Sequence, residues 1–292
     1  MRSVQIDEHG GIDVLQVREV PDATSGSPDA VLVRQVASSL NPVDWKTRAW
    51  DRGPGLPMTL GWDVAGIVVA TTSPDFEVGD RVIAMSMQPA TGVGAWADLL
   101  ELPASLVALA PRNLSLVRAA ALPLTAMTAR IALDALSPAP GSRLLVTGVL
   151  GGVGRLAAQL AVAAGHEVDG LVRPDAHRAA AGLGLARVLT SVAEASAGAY
   201  DAVFDTAAVD PGEALRAGGR YVSISDEPLP QIPGATKPEV YENGELLRSI
   251  VTDVERGVLE PQVAATFDLA DVRAAHAAFE AGGLDGKVAL LF

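Results

Sequence analysis

The sequence has no cysteine among its 292 residues. This absence excludes disulfide bonds, thiolate nucleophiles and every zinc site that depends on cysteine. Histidine is also scarce: the chain has four, and no two of them are four residues apart, the spacing of a metal-binding pair on one helix face. No carboxylate cluster with ligand spacing takes their place. We therefore expect no metal site.

Positively charged residues are also fewer than negatively charged ones. The formal net charge is −13, lysine occurs only as Lys46, Lys237 and Lys287, and there is no basic run. Nucleic acids and anionic membrane surfaces repel such a chain. The expected partner is therefore a small-molecule substrate, with no nucleic acid and no membrane. The excess of arginine over lysine, together with abundant alanine, is typical of a GC-rich bacterial genome.

The sequence shows no targeting segment and no membrane span. The opening residues MRSVQIDEHGG lack the basic-then-apolar pattern of a signal peptide. The most apolar region, residues 144–164, is interrupted by glycines, Arg155 and Gln159, which argues against a span. These features predict a cytoplasmic protein.

The spacing of apolar residues changes along the chain. Short valine- and isoleucine-rich runs at 30–36, 64–70 and 81–85 indicate strands separated by turns. After an alanine-rich helical stretch at 119–136, which Pro123 interrupts, short apolar runs alternate with helical stretches, and this alternation indicates a parallel sheet. Its predicted strands are 143–147, 167–172, 187–190, 202–205 and 220–224, with helical stretches between most of them.

The last segments are predicted to return to the first part of the chain. They are a strand near 263–267, a helix at 269–281 and a strand at 287–292. We therefore predict an α/β protein of two domains. A β domain comprises residues 1–121 and 258–292, and a parallel-sheet domain comprises 122–257. The proline-rich segment 226–241 is a predicted loop, and the sequence leaves open whether it is a lid or a connection at a dimer edge.

A glycine-rich turn follows the first strand of the parallel sheet. Gly148, Gly151 and Gly154 fit the spacing G-x-x-G-x-x-G, a variant of the dinucleotide fingerprint, and a helix is predicted directly after them. Glycines permit a tight turn and let backbone N–H groups approach a pyrophosphate, while the helix N-terminus supplies partial positive charge. We predict that residues 148–154, including Gly152 and Val153, bind a dinucleotide; the alternative is a glycine-rich turn without a ligand.

The end of the next strand bears on the choice of nucleotide. Enzymes that use NAD usually place a carboxylate there to bind the ribose 2′-hydroxyl. Asp169 lies inside that predicted strand rather than at its end, whereas Arg173 follows the end at once and Arg178 is close behind. An arginine fork suits a 2′-phosphate. The sequence therefore favours NADPH (NADP+), although Arg178 is equally interpretable as a solvated helix charge.

Several blocks of sequence resemble one family. The blocks are Asn41-Pro-Val-Asp-Trp-Lys46, Pro57-Met-Thr-Leu-Gly61-Trp-Asp63-Val-Ala65-Gly66, Gly79-Asp-Arg-Val82, Gly94-Ala-Trp-Ala-Asp98, Ala120-Ala-Leu-Pro-Leu-Thr125-Ala-Met-Thr-Ala129 and Gly286-Lys-Val-Ala-Leu290. Together they resemble the zinc-independent quinone oxidoreductase and enoyl reductase branch of the medium-chain dehydrogenase/reductase superfamily. The resemblance covers essentially the whole chain and implies a GroES-like β domain with a Rossmann domain, and an active site in the cleft between them.

The chain departs from the zinc-dependent relatives at their metal ligands. Those relatives carry a cysteine in the early motif and Gly-His-Glu in the second block, where this chain has Ser38-Ser39-Leu40-Asn41 and Gly61-Trp62-Asp63. Without a metal to polarise an alcohol, reduction of an activated C=C bond or a quinone fits better than alcohol oxidation. The protein then needs only to bind the substrate oxygen and to supply or relay a proton.

The resemblance also assigns expected roles to individual residues. It implies that Asn41 lies near the nicotinamide or the substrate carbonyl and that Thr125 lies near the nicotinamide ribose. Lys46 stands where some relatives carry a tyrosine, so it is a candidate proton donor or oxyanion ligand, with an ordinary surface cation as the alternative. Asp44 is expected either to orient Lys46 or to cap the following helix.

Other side chains are weaker candidates. Thr206 and Ser223 follow or end predicted strands at the carboxyl edge of the sheet, where a cofactor usually lies. Lys287 either reaches the cofactor or is structural. The tryptophans either line the cleft or fill the core.

Two further functions stay open. The first is a nucleotide-binding protein of the same fold with a non-redox role, as a cyclase or a structural protein. The second is a carbonyl reductase, which is disfavoured because none of the three tyrosines lies in the early motif. Because the relatives are commonly dimers, the resemblance also implies a homodimer.

Overall fold

The computed structural model describes residues 1–50, 55–87, 92 and 94–292. Its strands are β1 (Arg2–Ile6), β2 (Gln16–Glu19), β3 (Ala30–Ser39), β4 (Met58–Thr59), β5 (Asp63–Thr71), β6 (Arg81–Met85), β7 (Leu99–Pro103), β8 (Val107–Leu109), β9 (Arg143–Thr147), β10 (Glu167–Leu171), β11 (Arg187–Leu189), β12 (Tyr200–Asp205), β13 (Leu215–Ser223), β14 (Val263–Asp268) and β15 (Lys287–Leu291). Its α-helices are α1 (Pro42–Ala49), α2 (Leu116–Ala119), α3 (Pro123–Leu136), α4 (Gly152–Ala163), α5 (Gly244–Glu255) and α6 (Val272–Ala281).

The chain forms two compact units, and the first is built on β-sheets. It comprises Met1–Leu124, Tyr241–Arg256 and Gln262–Phe292. One sheet has the order β14-β15-β3-β5-β6-β8, with β7 also paired to β3, and a smaller sheet has the order β2-β1-β4. The long central strand β3 pairs antiparallel with β15, β5 and β7. Eight of its ten residues are buried, all except those at positions 34 and 36, as expected for a strand with partners on both sides.

Helix α5 belongs to this first unit, although it is distant in sequence from the strands it packs on. The Arg248 guanidinium donates to the carbonyl of Val107 in β8 at 3.1 Å. A Cβ at Gly244 would lie 2.0 Å from the carbonyl oxygen of Ser105, so only glycine permits this approach. The predicted domains place residues 122–124 and 241–256 in the parallel-sheet domain, whereas here these residues cluster with the first unit. Residues 258–261, predicted in the β domain, cluster with the second unit.

The second unit comprises Thr125–Val240 and Gly257–Pro261 and contains one parallel sheet. Its strand order is β11-β10-β9-β12-β13, with all neighbours parallel. This order places the first strand, β9, at the centre, and α4 follows it directly. The fully buried Leu145, Val203 and Tyr200 are part of its core. The predicted strands therefore exist, and their order is that of a nucleotide-binding half.

The prediction of helical stretches between most of these strands is wrong. Only 3-10 segments follow β10, β11 and β12: Pro174–Ala180, Val192–Glu194 and Gly212–Ala214. The first of these ends before Gly182 and Gly184, which have φ angles of +87° and +71° and cannot continue a right-handed helix. The alanine content of these segments favours a helix, but glycine and the short connections prevent one.

The segment 226–241 carries no helix or named strand. Thr236 makes an isolated parallel bridge to Val222, and Lys237 Nζ donates to the carbonyl of Glu227 at 2.6 Å. The half-buried Leu229 and Ile232 pack against the core of the second unit. The loop is therefore held on its own unit by apolar contacts.

One stretch of the described chain, Leu116–Leu136, is long and apolar enough to cross a membrane by length and composition. Within its most apolar window, 67% is buried inside the protein, which is the ordinary environment of a core helix.

Candidate functional site

The predicted dinucleotide turn lies between β9 and α4 and depends on close backbone contacts. Gly148 has a φ of +60°, and a Cβ there would lie 2.5 Å from Thr206 Oγ1. A Cβ at Gly154 would lie 2.4 Å from the carbonyl oxygen of Gly148. Such approaches are shorter than van der Waals contact, so both positions require glycine. Gly151, where a Cβ would be 3.2 Å from the same oxygen, is less restricted.

The N-terminus of α4 has the properties of an anion site. Gly151 is the N-cap, and no side chain among the described residues caps the helix there; its first turn also contains no acidic residue. The backbone N–H groups of Gly152, Val153 and Gly154 therefore belong to the turn that a helix leaves without intrahelical partners. Together with the helix dipole, these groups fit a pyrophosphate.

A buried carboxylate joins the ends of three strands beside this turn. Asp205 at the end of β12 is fully buried and accepts hydrogen bonds from Thr147 Oγ1 at 2.6 Å and from Ser223 Oγ at 2.8 Å. The backbone N–H of Val209 also donates to it at 2.9 Å. The ends of β9, β12 and β13 are thereby held together at the carboxyl edge of the sheet.

The two hydroxyl candidates at this edge take part in the same network. Thr206 donates from Oγ1 to the carbonyl of Thr147 at 2.8 Å, and its N–H donates to Thr147 Oγ1 at 2.9 Å. Ser223 is buried and binds Asp205, as described above. Both lie at the predicted edge of the sheet, whereas Asp205 is not among the residues predicted for it. An aspartate that ends an apolar strand is the feature that indicates such a role.

Asp169 is committed to contacts inside the second unit. It is fully buried, accepts from the Tyr200 hydroxyl at 2.8 Å and lies 3.0 Å from the Arg143 guanidinium. Burial, and then the hydrogen bond to Asp169, raise the pKa of Tyr200. The carboxylate thus links β10 to its neighbour β9 and, beyond it, to β12, and it is not presented at the end of its strand.

Arg173 and Arg178 lie in the segment that follows β10. Both are exposed; Arg173 is the N-cap residue of the 3-10 segment, and Arg178 lies in its last turn. Arg173 Nε is 3.6 Å from Asp175 Oδ1 in an exposed ion pair, which is a weak contact. Both side chains therefore lie at the surface of the second unit, directly after β10.

In the first unit, Asn41 lies in a buried polar cluster. It is the N-cap of α1 and is 1% exposed. Its Nδ2 donates to Asp63 Oδ2 at 2.7 Å, and its Oδ1 accepts from Lys287 Nζ. Lys287 also donates to the carbonyl of Leu40 at 2.5 Å. The side-chain amide is therefore held at both ends by charged groups.

Asp63 connects this cluster to neighbouring elements. Its Oδ1 accepts from the backbone N–H of Leu124 at 2.8 Å, and its Oδ2 accepts from Ser39 Oγ and lies 3.9 Å from Lys287 Nζ. Burial lowers the pKa of Lys287, while Asp63 and then Asp44 oppose that shift. In the sequence, Asp63 is noticeable only as part of a motif, with no predicted role of its own. A lone lysine at the start of the apolar strand β15 is the feature that indicates a buried partner for it.

Asp44 caps helix α1, which is one of its two predicted roles. Its Oδ2 accepts from the backbone N–H of Asn41 at 2.7 Å, and the side chain is 1% exposed. Its Oδ1 is a buried atom with no hydrogen-bond partner among the described residues. Burial raises the pKa of Asp44 to about 8, and the hydrogen bond from Asn41 opposes this shift. Lys46 is half-buried, with Nζ 5.9 Å from the ring centroid of Trp45.

The remaining candidates differ in exposure. Thr125, the third residue of α3, is 3% exposed. Trp96 is fully buried and donates from Nε1 to Ser38 Oγ at 3.1 Å, so it belongs to the core. Trp62 is buried, and its Nε1 has no hydrogen-bond partner within the described part of the chain. Residues 1–50, 55–87, 92 and 94–292 contain no group of three or more potential metal-ligating His, Asp or Glu side chains.

Comparison with known proteins agrees with this architecture. A family model described as alcohol dehydrogenase GroES-like domain matches residues 27–112, and one described as zinc-binding dehydrogenase matches residues 183–290. The 2-methylene-furan-3-one reductase of Solanum lycopersicum is 32% identical over 99% of this chain and 79% of its own length. The chloroplastic NADPH-dependent alkenal/one oxidoreductase of Arabidopsis thaliana is 30% identical over 99% of this chain and 78% of its own length.

A solved structure extends the match to the fold. The quinone oxidoreductase from Coxiella burnetii aligns with a TM-score of 0.86 at 26% identity, covering 100% of this chain and 99% of that one. A GroES-like unit together with a parallel-sheet unit that carries a glycine-rich dinucleotide turn defines a nicotinamide-dependent oxidoreductase. The chain belongs to the quinone oxidoreductase branch of the medium-chain dehydrogenase/reductase superfamily. The predicted family and fold class are thereby confirmed.

Proposed function

We propose that the protein is an NADPH-dependent reductase of quinones or of activated C=C bonds in small molecules, and that it works without zinc. The observation that carries the choice of cofactor is the contrast at the end of β10. Asp169 is buried against Tyr200 and Arg143, whereas Arg173 is exposed just beyond the strand. An exposed arginine suits a 2′-phosphate. A buried carboxylate that already binds Tyr200 and Arg143 is not available to accept a hydrogen bond from a ribose 2′-hydroxyl.

The names of the relatives support the substrate class. One is a reductase of a methylene furanone, one an alkenal/one oxidoreductase that depends on NADPH, and one a quinone oxidoreductase. All three names refer to compounds in which a C=C bond is conjugated with a carbonyl group. The absence of cysteine from the chain supports a mechanism without zinc, because it removes the thiolate ligands of the zinc-dependent relatives.

In this mechanism, the protein binds the cofactor and the acceptor, orients them and supplies a proton. NADPH, when bound, supplies a hydride to the β-carbon of the acceptor. The N–H groups of residues 152–154 hold the pyrophosphate, and Arg173 with Arg178 bind the 2′-phosphate. Thr206 and Ser223 contribute at the strand ends, and Thr125 binds the nicotinamide ribose.

The acceptor's carbonyl oxygen becomes negative as the β-carbon is reduced, and it needs a hydrogen-bond donor or a cation. We assign Asn41 to the nicotinamide or the substrate carbonyl. Lys46 is the candidate that donates the proton or stabilises the oxyanion, and Asp44 fixes the start of the helix that carries Lys46. A homodimer and a cytoplasmic location remain predictions of the same proposal; the mass in solution tests the first.

The test follows NADPH absorbance with 1,4-benzoquinone, 9,10-phenanthrenequinone, an alkyl enone and an enoyl thioester, with NADH in parallel. We expect turnover of at least one acceptor, faster with NADPH. Gly154→Val should raise the Kd of NADPH at least 100-fold, because its side chain would meet the backbone of Gly148. Gly26→Ala is the control, since nothing lies within 4 Å of a Cβ at that position. Tight NADPH binding without any turnover would instead support the non-redox alternative.

A further inference from the structure

Lys287 is an ammonium group in the interior of the first unit. It begins β15, is 5% exposed, and stands in a strand whose next three residues are fully buried and apolar. Burial of a charge costs several kcal/mol unless its partners compensate. An apolar residue would suit this strand position better on packing grounds alone. The reason that a lysine occupies this position therefore lies in the hydrogen bonds of the ammonium group.

Those contacts hold the side-chain amide of Asn41 in one orientation. Lysine only donates hydrogen bonds and a carboxylate only accepts them. Lys287 Nζ therefore requires the oxygen end of the amide, and Asp63 Oδ2, at 2.7 Å, requires its nitrogen end. Rotation of the amide by 180° would place two donors together at one end and two acceptors together at the other. This pair of charges excludes the flipped orientation.

Asp63 also secures the backbone around the amide. It accepts from the N–H of Leu124 at 2.8 Å and from Ser39 Oγ, while Lys287 donates to the carbonyl of Leu40 next to Asn41. Both charged groups thus bind the side chain of Asn41 and a neighbouring backbone atom. They set the position of the amide as well as its orientation.

We propose that Lys287 and Asp63 are positioning residues for Asn41, which hold its side-chain amide in the orientation required for hydride transfer without themselves touching cofactor or substrate. This inference rests on the proposed function, in which Asn41 contacts the nicotinamide or the substrate carbonyl. An error of about 1 Å in the placement of such a group can cost 100-fold in rate. Substitution of Lys287 should therefore lower kcat. The affinity for NADPH should change little, because we assign the groups that bind its phosphates to the second unit.

The experiment compares Lys287→Met and Lys287→Ala with Lys237→Met, which removes an exposed lysine that contacts only the carbonyl of Glu227 in the hydrogen bonds described. We expect Lys287→Met to lower kcat roughly 10- to 100-fold with the KM for NADPH within about threefold of wild type. Lys237→Met should retain wild-type kinetics. Folded fractions are measured by tryptophan fluorescence, and rates are expressed per folded protein.

Chemical rescue separates positioning from a structural role. Lys287→Ala leaves a space where the side chain stood, and propylammonium should restore its kcat at least fivefold, whereas propanol of similar size should not. Equal rescue by both, or an unchanged kcat in Lys287→Met, would overturn the inference while leaving the proposed function standing. The absence of wild-type turnover with every acceptor would overturn both.

Discussion

Asp63 in the first unit and Asp205 in the second are buried carboxylates that join the ends of several elements, and the two differ in their neighbours. Asp205 in the second unit accepts only from neutral donors: the hydroxyls of Thr147 and Ser223 and backbone N–H groups. Asp63 in the first unit has neutral donors too, but it also lies 3.9 Å from the ammonium group of Lys287. The first cluster therefore buries charges of both signs, and the second buries one.

This difference separates two ways of building a site. In the second unit, neutral donors to Asp205 fix the strand ends, and the proposed pyrophosphate site consists of backbone N–H groups at a helix N-terminus without a side-chain cap. In the first unit, the candidate group is a side-chain amide, which must be oriented by its neighbours. Backbone groups are oriented by the fold itself, whereas a side chain needs dedicated partners. That requirement explains why two buried groups of opposite charge, Lys287 and Asp63, lie at the two ends of the Asn41 amide.

The largest expected effect compares the two carboxylates directly. Asp63→Asn should lower the free energy of unfolding by about 3–5 kcal/mol, because it removes the carboxylate that forms an ion pair with the buried ammonium group of Lys287. Asp205→Asn should cost about 1–3 kcal/mol, since only hydrogen bonds to neutral groups are impaired. Urea unfolding measures both. All four tryptophans lie in the first unit and report on it, while NADPH binding reports on the second.

Asp75→Asn serves as the control for this comparison because Asp75 is an exposed residue of the first unit. Its stability should equal that of the wild type within about 0.5 kcal/mol. An equal or larger loss in Asp205→Asn would show that the charge of Lys287 does not distinguish the two networks.

The sequence was sufficient for the elements that depend on local pattern. Apolar runs located the strands of the parallel sheet, and the glycines at 148, 151 and 154 located the turn, because a tight turn and a close approach need glycine itself. The same local reasoning failed for the connections after β10, β11 and β12. There, alanine content favours a helix, but Gly182 and Gly184 and short connections allow only 3-10 turns.

The polar clusters could not be predicted because their members are far apart in the chain. Asn41 and Lys287 are 246 residues apart, and Asp63 and Leu124 are 61 residues apart. The motifs identified Asn41 and Asp44 individually, yet nothing in them indicates that Lys287 binds the amide. Only the antiparallel pairing of β15 with the end of β3 brings the lysine to this place.

His276, a buried titratable residue of the first unit, should make the stability of that unit depend on pH. Burial, and then the positive charge of Arg48, lower the pKa of His276 to about 4, against an opposing effect of Glu280. The unfolded chain therefore takes up a proton first as the pH falls. Stability that is fully present above pH 6.5 is lost as the pH falls towards 4, by up to about 3 kcal/mol.

The variant that tests this is His276→Gln, whose amide oxygen can still accept from Arg48. It should lose less stability than the wild type when urea unfolding is followed by tryptophan fluorescence at pH 7, 5.5 and 4. His177→Gln, at an exposed position in the second unit, should behave as the wild type. If the acid-induced loss in His276→Gln matches that of the wild type, other groups of the first unit are responsible for it.

The smallest expected effect concerns exposed charge in the second unit. Arg173→Ser should raise the Kd of NADPH about tenfold, equivalent to about 1.4 kcal/mol, with no change for NADH, because only NADPH carries the 2′-phosphate. Arg178→Ser should raise the Kd of NADPH only about threefold, because Arg178 is equally interpretable as a solvated surface charge. Fluorescence titration with both nucleotides measures the difference. Arg216→Ser, which removes an exposed partner of Asp201, is the control. Equal losses for the two nucleotides in Arg173→Ser would mean that this residue shapes the segment after β10 rather than binding phosphate, and the preference for NADPH would then need another origin.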